Sequence, residues 1–466
     1  MMKTIICTAA ALLLSACSVA PVYERPKVAL PQSYQAASST LEASAATEGI
    51  SPWWEALGDA QLNQWVQRAL AQSPQTQAAA ARVQEADALM RQAGAALFPE
   101  VNLSVGGVNS QVTQLGAVPV SPRLPVARTD RLVSLSTSYE IDVWGKVRSA
   151  DQAARAGALS SRYAQATVQT TLAASVVQAW LSLRSLDAQI AITRDSLANR
   201  QEALAIVNTR QSGGLASEVE VQAAQPALQA LQAQLADLLR QRALSENLLG
   251  VLLSSPGLRV ATLTTLPTAP QVPEGLPSSL LTARPDVRDA EAQLMAANAR
   301  IGLARAALFP NLSLTAAAGS QSADLSNLFK PEAFTFSLGL NILAPIFDAG
   351  RRDAVVAQVS AQQQQLSANY RQTVLNAFRE VRDALSSTEQ QAATERALQA
   401  QQQSLQASLR LTQVRVNAGF VAPVQLLDAQ RNLNDAELAL VRARAARLGA
   451  SVDLFKALGG GWQPRS

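Results

Sequence analysis

The strongest constraint in this sequence is that the chain contains the same pattern twice. The apolar motif at residues 96–103 recurs at residues 307–314, and the glycine-containing motif at residues 212–215 recurs at residues 417–420. A proline-rich stretch at residues 267–284 separates the two copies. A repeat at this distance predicts two units of the same type that complete one fold together.

Two very long helices are predicted to end each copy. From Leu172 to Val207 apolar residues recur at alternating intervals of four and three, and only Thr193 and Arg200 interrupt the series. This spacing is typical of coiled-coil packing between neighbouring helices. An unbroken helix over residues 145–210 would be about 100 Å long at 1.5 Å per residue, far longer than a helix of a globular domain.

The first residues form a pattern that precedes processing in bacterial lipoproteins. Lys3 comes before an apolar stretch over residues 4–14, and the tripeptide at residues 14–16 leads into Cys17. This pattern resembles a lipobox, in which the chain is cut before the cysteine and the thiol is acylated. We expect Cys17 to carry N-acyl and S-diacylglycerol lipid, and Ser18 favours sorting to the outer membrane. The alternative is an ordinary secretory signal with a chance cysteine.

Each copy also contains two predicted strands ahead of its long helices. Residues 133–141 alternate apolar and polar side chains, as do residues 334–342, and the loops are predicted at residues 111–130 and 319–331. One such strand fits a half-buried sheet, but four on a lipoprotein favour strands with lipid on one side and a polar lumen on the other. Four strands cannot close a barrel, since the smallest bacterial ones have about eight. Spanning strands therefore require an oligomer of undetermined size.

Composition excludes several other classes of function. The chain has no histidine, which excludes a histidine general base, a Ser-His-Asp triad and a His-ligated metal. No convergent acidic motif replaces it, so neither an enzyme nor a metal or other cofactor is predicted. The net charge is +4 with scattered Lys and Arg, which does not favour nucleic-acid binding.

Several short motifs together resemble the TolC-like outer-membrane efflux protein family, in its lipidated OprM-like branch that serves resistance-nodulation-division systems. These motifs occupy residues 53–54, 57–59, 281–285, 426–430 and 457–462. The resemblance implies a mainly α fold with a transmembrane β-barrel, in which three duplicated chains form an α/β-barrel channel. It also implies a periplasmic adaptor (membrane fusion) protein and an inner-membrane proton-driven transporter as partners.

The turns between the paired long helices are the predicted contact sites for the adaptor. Gly213, Gly214 and Leu215 form the first turn, and Gly419 and Phe420 belong to the second. Glycine permits a tight reversal, and an exposed apolar side chain beside it offers a docking surface. In the family these tips meet the adaptor hairpins. The alternative is that the glycines only end a helix.

Asp428 is the predicted periplasmic gate residue. It matches the family's carboxylate at the closed inner end of the channel. Gln425, one turn earlier, and Glu220, its equivalent in the first copy, complete the predicted gate. Three symmetry-related Asp428 side chains in one constriction would restrict passage and favour cations. The alternative is an ordinary solvated carboxylate.

The predicted segments are a signal peptide at residues 1–16, a lipidated extension at 17–52, a first repeat at 53–266, the joint at 267–284 and a second repeat at 285–466. The predicted function is the outer-membrane channel of a three-part efflux pump, which passively conducts drugs or other small toxic compounds. Two alternatives remain: a channel for type I protein secretion, and a periplasmic adaptor lipoprotein with one helical hairpin between soluble β-domains.

Overall fold

The computed structural model describes residues 19–31, 52–115, 125–270 and 284–460. Cys17, the signal peptide and residues 461–462 of the C-terminal motif lie outside the described residues, as do most of the extension and most of the joint. The chain divides into two compact units. One contains residues Val83–Ser161 and Ala290–Tyr370 with the N-terminal segment to Pro26, and the other contains the rest.

Most of the described chain is helical, and its four strands form a single sheet. The long elements are, in chain order, α1 (Ala60–Gln72), α2 (Pro74–Ala95), β1 (Glu100–Gln111), β2 (Ala127–Ile141), α3 (Lys146–Ser212), α4 (Glu218–Leu252), α5 (Pro285–Ala306), β3 (Asn311–Ser322), β4 (Phe334–Leu343), α6 (Arg351–Asn417) and α7 (Pro423–Ala457). None of the helices in these ranges is both long and apolar enough to cross a bilayer.

The predicted duplication is confirmed in the lengths of the elements. Helices α3 and α6 have 67 residues each, α4 and α7 have 35 each, and α2 and α5 have 22 each. One constant shift takes both ends of α3 and α4 onto the ends of α6 and α7. Residues of the two repeats can therefore be matched one to one along these helices.

The four strands of the first unit pair antiparallel in the order β1-β2-β3-β4. Strand β2 starts at Ala127 and β3 continues to Ser322, so both loops are shorter than the sequence predicted. Cross-strand hydrogen bonds support these polar ends of the strands. Gln321 Nε2 donates to Asp130 Oδ2 at 2.7 Å, and Arg131 Nη1 donates to Asn109 Oδ1 at 3.2 Å.

An aromatic pair closes the end of the sheet where β2 leads into α3. The rings of Trp144 and Phe309 stack with centroids 4.6 Å apart. The indole Nε1 of Trp144 donates to the carbonyl of Pro310 at 2.8 Å. The contact joins the two repeats, because Trp144 follows β2 of the first and Phe309 precedes β3 of the second.

The second unit is held by the predicted coiled-coil seam. Its buried apolar core includes residues of α1, α3, α4 and α7: Leu62, Val66, Leu172, Val176, Val177, Trp180, Leu183, Leu249, Leu448 and Val452. Thr193, which interrupts the apolar series, is fully buried and its hydroxyl donates to Gln189 O at 2.8 Å. The polar interruption is thus satisfied within its own helix.

Matched arginines fix the paired helices in both repeats. Arg242 Nε donates to the buried Asp187 carboxylate at 2.6 Å, which joins α4 to α3. In the second repeat Arg447 Nη1 donates to Glu395 at 2.9 Å, which joins α7 to α6. The two arginines hold equivalent positions in the two hairpins, whereas their acidic partners Asp187 and Glu395 lie at different positions of α3 and α6.

Candidate functional site

The sheet of the first unit has one apolar face and one polar face. The register places Leu103 opposite Leu135, Leu135 opposite Ala318, and Ala318 opposite Phe336. Directly opposed residues share a face, so the apolar sets of all four strands coincide. The apolar face is exposed on the protomer, with Phe336 at 78% and Val105 at 72%.

The opposite face is built from small and hydroxyl side chains. Ser104 faces Ser134, and Thr315 faces Gly339 along the same strands. The sheet thus reproduces the predicted alternation. The large apolar residues named above remain exposed on the protomer. An apolar surface of this extent on a soluble domain is unusual.

The sheet also has two open edges. In the order β1-β2-β3-β4, β1 pairs only with β2 and β4 pairs only with β3. Each outer strand therefore presents a row of backbone groups without strand partners inside the described chain. If an edge strand lies in lipid, its unpaired backbone groups cost several kcal/mol each unless strands from outside the chain pair with it.

The two turns of the second unit have the same backbone geometry. Leu215 N donates to Arg210 O at 2.7 Å, and Phe420 N donates to Arg415 O at 2.9 Å. Gly214 and Gly419, which precede them, have φ of 74° and 76°. These are the features of a Schellman ending, in which glycine supplies the left-handed residue. This geometry accounts for the glycines but not for the exposed apolar residues.

Both turns end in a large apolar side chain that projects into solvent. Leu215 is 74% exposed and Phe420 is 79% exposed. In a Schellman ending the residue at this position commonly packs back on the helix, and neither does so here. Gly213, the first residue of the first turn, is also exposed. The structure thus leaves all five predicted tip residues accessible.

The predicted gate residues lie near the starts of α4 and α7, with Glu220 and Gln425 in the first turns and Asp428 in the second turn of α7. Asp428, Gln425 and Glu220 are all exposed. Arg431 Nη2 approaches Asp428 Oδ1 at 3.6 Å, as an ion pair on the surface of α7. Arg431 was not predicted from the sequence as part of the gate, and its charge partly offsets that of Asp428.

A second arginine missed by the sequence analysis lies near the same carboxylate. Arg200 Nη2 of α3 donates to the carbonyl of Leu427 at 2.7 Å, one residue before Asp428. Burial, together with the nearby charge of Arg431, lowers the pKa of Arg200, and the charge of Asp428 opposes this shift. The available signal was the interruption of the apolar seam at Arg200, which marks a polar contact between α3 and α7.

The segment that follows Cys17 is held against α5 in the first unit. Arg25 donates to both oxygens of Glu291 at 2.6 and 2.9 Å, and Asn298 Nδ2 donates to Pro21 O at 2.8 Å. Burial and the negative charge of Glu291 raise the pKa of Tyr23 to about 12. These contacts hold residues 21–25 against α5, a few residues after the predicted lipid attachment site at Cys17.

Among the described residues, no three His, Cys, Asp or Glu side chains are grouped so as to hold a metal ion. The exposed charged residues described above lie on helix surfaces, where Asp428 forms an ion pair with Arg431. The arrangement consists of an amphipathic sheet with open edges and of paired helical turns with exposed apolar tips.

Comparison with known proteins identifies relatives over almost the full length. The pyoverdine export outer membrane protein OpmQ of Pseudomonas aeruginosa is 37% identical over 99% of this chain and 98% of the relative. The cation efflux system protein CusC of Escherichia coli (strain K12) is 32% identical over 97% of this chain and 98% of the relative. A crystal structure of CusC covers 95% of this chain and 100% of that chain, with 30% identity and a TM-score of 0.83.

The fold predicted from the sequence is confirmed by this structural match. The family model for outer membrane efflux protein matches residues 65–254 and 276–460, which cover most of both repeats. This chain belongs to the outer membrane efflux protein family.

Proposed function

We propose that this protein is the outer-membrane channel of a three-part efflux pump and is not an enzyme. The observation that carries the proposal is the amphipathic four-stranded sheet, whose exposed apolar face and two open edges suit a membrane-spanning oligomer. Its partners would be a periplasmic adaptor, received at the Leu215 and Phe420 tips, and an inner-membrane resistance-nodulation-division transporter.

The cargo is proposed to be small molecules that enter from the pump and leave passively. OpmQ is named for pyoverdine export and CusC for cation efflux, so proteins similar to this chain are named for different cargoes. We therefore place cargo selection in the inner-membrane transporter. The adaptor alternative is disfavoured, since the chain has two long hairpins, α3–α4 and α6–α7, where an adaptor was expected to have one.

Deletion of the gene tests this function in a strain that lacks other channels of the family. We expect the deletion strain to accumulate ethidium, a small fluorescent organic cation, and plasmid-borne wild-type protein to restore efflux. The measurement is the rate of loss of cell fluorescence after re-energising the cells. Equal efflux with and without the gene, with the adaptor and transporter present, would contradict the proposal.

We further propose that three copies close the barrel and that the internal repeat sets the contact between them. Three copies of four strands supply twelve, above the minimum of about eight. Within the chain, β2 of the first repeat pairs with β3 of the second. Between copies, β4 of one copy would pair with β1 of the next copy in the same way. In this pairing β4 corresponds to β2 and β1 corresponds to β3.

This relation predicts a register between copies. Thr137 lies opposite Ala316 within the chain. Ile342 in β4 is the repeat equivalent of Thr137 in β2. Thr137 lies opposite Val101, and Ile342 lies opposite Leu312, which is the repeat equivalent of Val101. In the same way, Val105 in β1 is the repeat equivalent of Ala316 in β3. Val105 lies opposite Val133, and Ala316 lies opposite Leu338, which is the repeat equivalent of Val133. Ile342 of one copy would therefore face Val105 of the next, which keeps both on the apolar face.

Lipid on Cys17 is proposed to anchor each copy from the periplasmic side of the outer membrane. The ion pair between Arg25 and Glu291 supports this proposal, because it fixes the chain a few residues after the anchor. We expect radioactive palmitate to label the wild-type protein and not Cys17→Ser. The variant should assemble less efficiently, while each assembled channel conducts normally. Equal labelling of the two proteins would contradict the anchor.

A further inference from the structure

A cavity of ≈ 330 Å³ lies among the four long helices of the second unit. Its apolar wall is formed by Ile192 of α3, Leu231 of α4, Leu409 of α6 and Leu433 of α7. This volume falls at the lower end of the range for small-molecule sites, which are typically apolar with a few polar groups. The cavity is therefore large enough for a small organic molecule.

The first repeat departs from the second beside this cavity. Pro226, Ala227 and Ala230 of α4 occupy the places that Arg431, Asn432 and Asp435 occupy in α7. Ala227 and Ala230 line the cavity, and Pro226 lies inside the helix beside them. The small side chains leave space where the second repeat has long ones.

Three carboxylates line this cavity, those of Asp195 on α3 and of Asp435 and Glu437 on α7. Helices α3 and α7 run antiparallel there, with Ser196 Oγ donating to Asn434 Oδ1 at 2.6 Å and Arg442 Nε donating to Gln189 Oε1 at 2.9 Å. Asp195 of α3 and Glu437 of α7 lie between these two contacts in their helices, and both line the cavity.

The negative charges of Asp195 and Glu437 repel each other across the cavity. Burial raises the pKa of Glu437, a hydrogen bond from Gln402 opposes the rise, and the negative charge of Asp195 adds to it. Arg200 and Arg431 line the cavity as well, but Arg200 donates to Leu427 O and Arg431 pairs with Asp428. A bound cation would relieve the repulsion between Asp195 and Glu437.

We propose that this cavity binds a small organic amine. Its ammonium group would pair with Asp195 and Glu437, and its apolar body would pack against Ile192, Leu231 and Leu433. The leucine and isoleucine side chains favour an organic ammonium over a bare metal ion, which would keep its water shell against them. The site lies between helices of a single chain and does not depend on the contacts between copies.

The test uses the full-length oligomer in detergent and two probes of the same shape. The ¹⁹F NMR line of 2-(4-fluorophenyl)ethylamine is expected to broaden with protein, and that of 2-(4-fluorophenyl)ethanol is not, beyond its broadening by empty micelles. Glu437→Gln and Asp195→Asn are each expected to weaken amine binding by up to about fivefold. Asp237→Asn, an exposed carboxylate of α4 outside the cavity, is the matched control and should bind like the wild type.

A second variant separates the cavity from general attraction between opposite charges. Ala230→Leu fills the space without removing a charge, and it is expected to reduce amine binding as strongly as Glu437→Gln does. Size-exclusion chromatography confirms that each variant keeps the oligomer of the wild type. Equal broadening of amine and alcohol would overturn the proposal. Wild-type amine affinity in both Ala230→Leu and Glu437→Gln would overturn it too.

Discussion

Leu338→Arg is expected to abolish channel assembly in the outer membrane, whereas Ser337→Arg is expected to leave assembly nearly unchanged. Leu338 lies at the middle of β4 on the apolar face and is 73% exposed on the protomer, so the change empties no packed core. An arginine that faces lipid at the bilayer midplane costs about 2–4 kcal/mol. Three copies in one barrel multiply that cost, while an arginine on the lumen face remains in water.

The measurement is the amount of heat-modifiable oligomer in isolated outer membranes. Ser337 is the matched control because it is the neighbouring residue and points to the opposite face of the same strand. Normal assembly of Leu338→Arg would contradict the assignment of the apolar face to lipid. Equal loss in both variants would contradict the assignment of the polar face to a lumen.

Asp428→Ala is expected to raise single-channel conductance in planar bilayers and to reduce the preference for cations. The carboxylate is exposed, so its removal leaves the packing of α7 intact. Its loss also leaves Arg431 and Arg200 without the nearby negative charge. If three copies of Asp428 meet in one constriction, the change widens the opening and makes its wall more positive.

Controls for the gate come from the same hairpins. Glu220→Ala should act in the same direction with a smaller effect, since Glu220 belongs to the first turn of α4. Asp237→Ala, further along α4 and paired with Arg240, should change little. Unchanged conductance and unchanged ion selectivity in Asp428→Ala, with a normal oligomer, would show that Asp428 is only a solvated helix residue.

Periodicity predicted the elements in which one pattern continues without interruption. The seam from Leu172 to Val207 predicted one helix over residues 145–210, and α3 spans Lys146–Ser212. The alternation in residues 334–342 predicted β4, which spans Phe334–Leu343. Both signals repeat along the chain, so a single interrupting residue such as Thr193 does not hide them.

Features that depend on partners distant in the sequence could not be predicted in this way. The start of β2 contains Arg128 and Asp130, which favour a loop when considered alone. They join the strand because β1 supplies the backbone partners for this end, and Gln321 of β3 hydrogen-bonds to Asp130. The location of a strand end therefore followed from pairing and not from local composition.

The exposed residues of the candidate site were predicted from the sequence, but the contacts of Arg200 and Arg431 were not. The exposure of Leu215 and Phe420 followed from their place after a glycine between two helices. Arg200 appeared only as an interruption of the seam, because its acceptor, the backbone carbonyl of Leu427, lies in the other repeat. Every residue type has a backbone carbonyl, so the identity of residue 427 does not indicate this contact, which could be found only in the structure.

The contact between β4 of one copy and β1 of the next is the most direct test of the account. Cysteines replace Val105 and Ile342 in a chain that keeps Cys17, because Cys7 is removed with the predicted signal peptide and the thiol of Cys17 is predicted to be acylated. Opposed residues on neighbouring strands lie about 4.5–5.5 Å apart, within the range for a disulfide. Mild oxidation of outer membranes, followed by denaturing electrophoresis, reports the covalent species.

We expect a disulfide-linked species of three chains that disappears on reduction. Pairing Val105→Cys with Asn341→Cys is the control, because Asn341 neighbours Ile342 and points to the other face. This control is expected to remain a single chain after denaturation. Efficient linkage in the control with none between positions 105 and 342, or no linkage in either pair from a fully assembled protein, would contradict a barrel closed by the repeat relation.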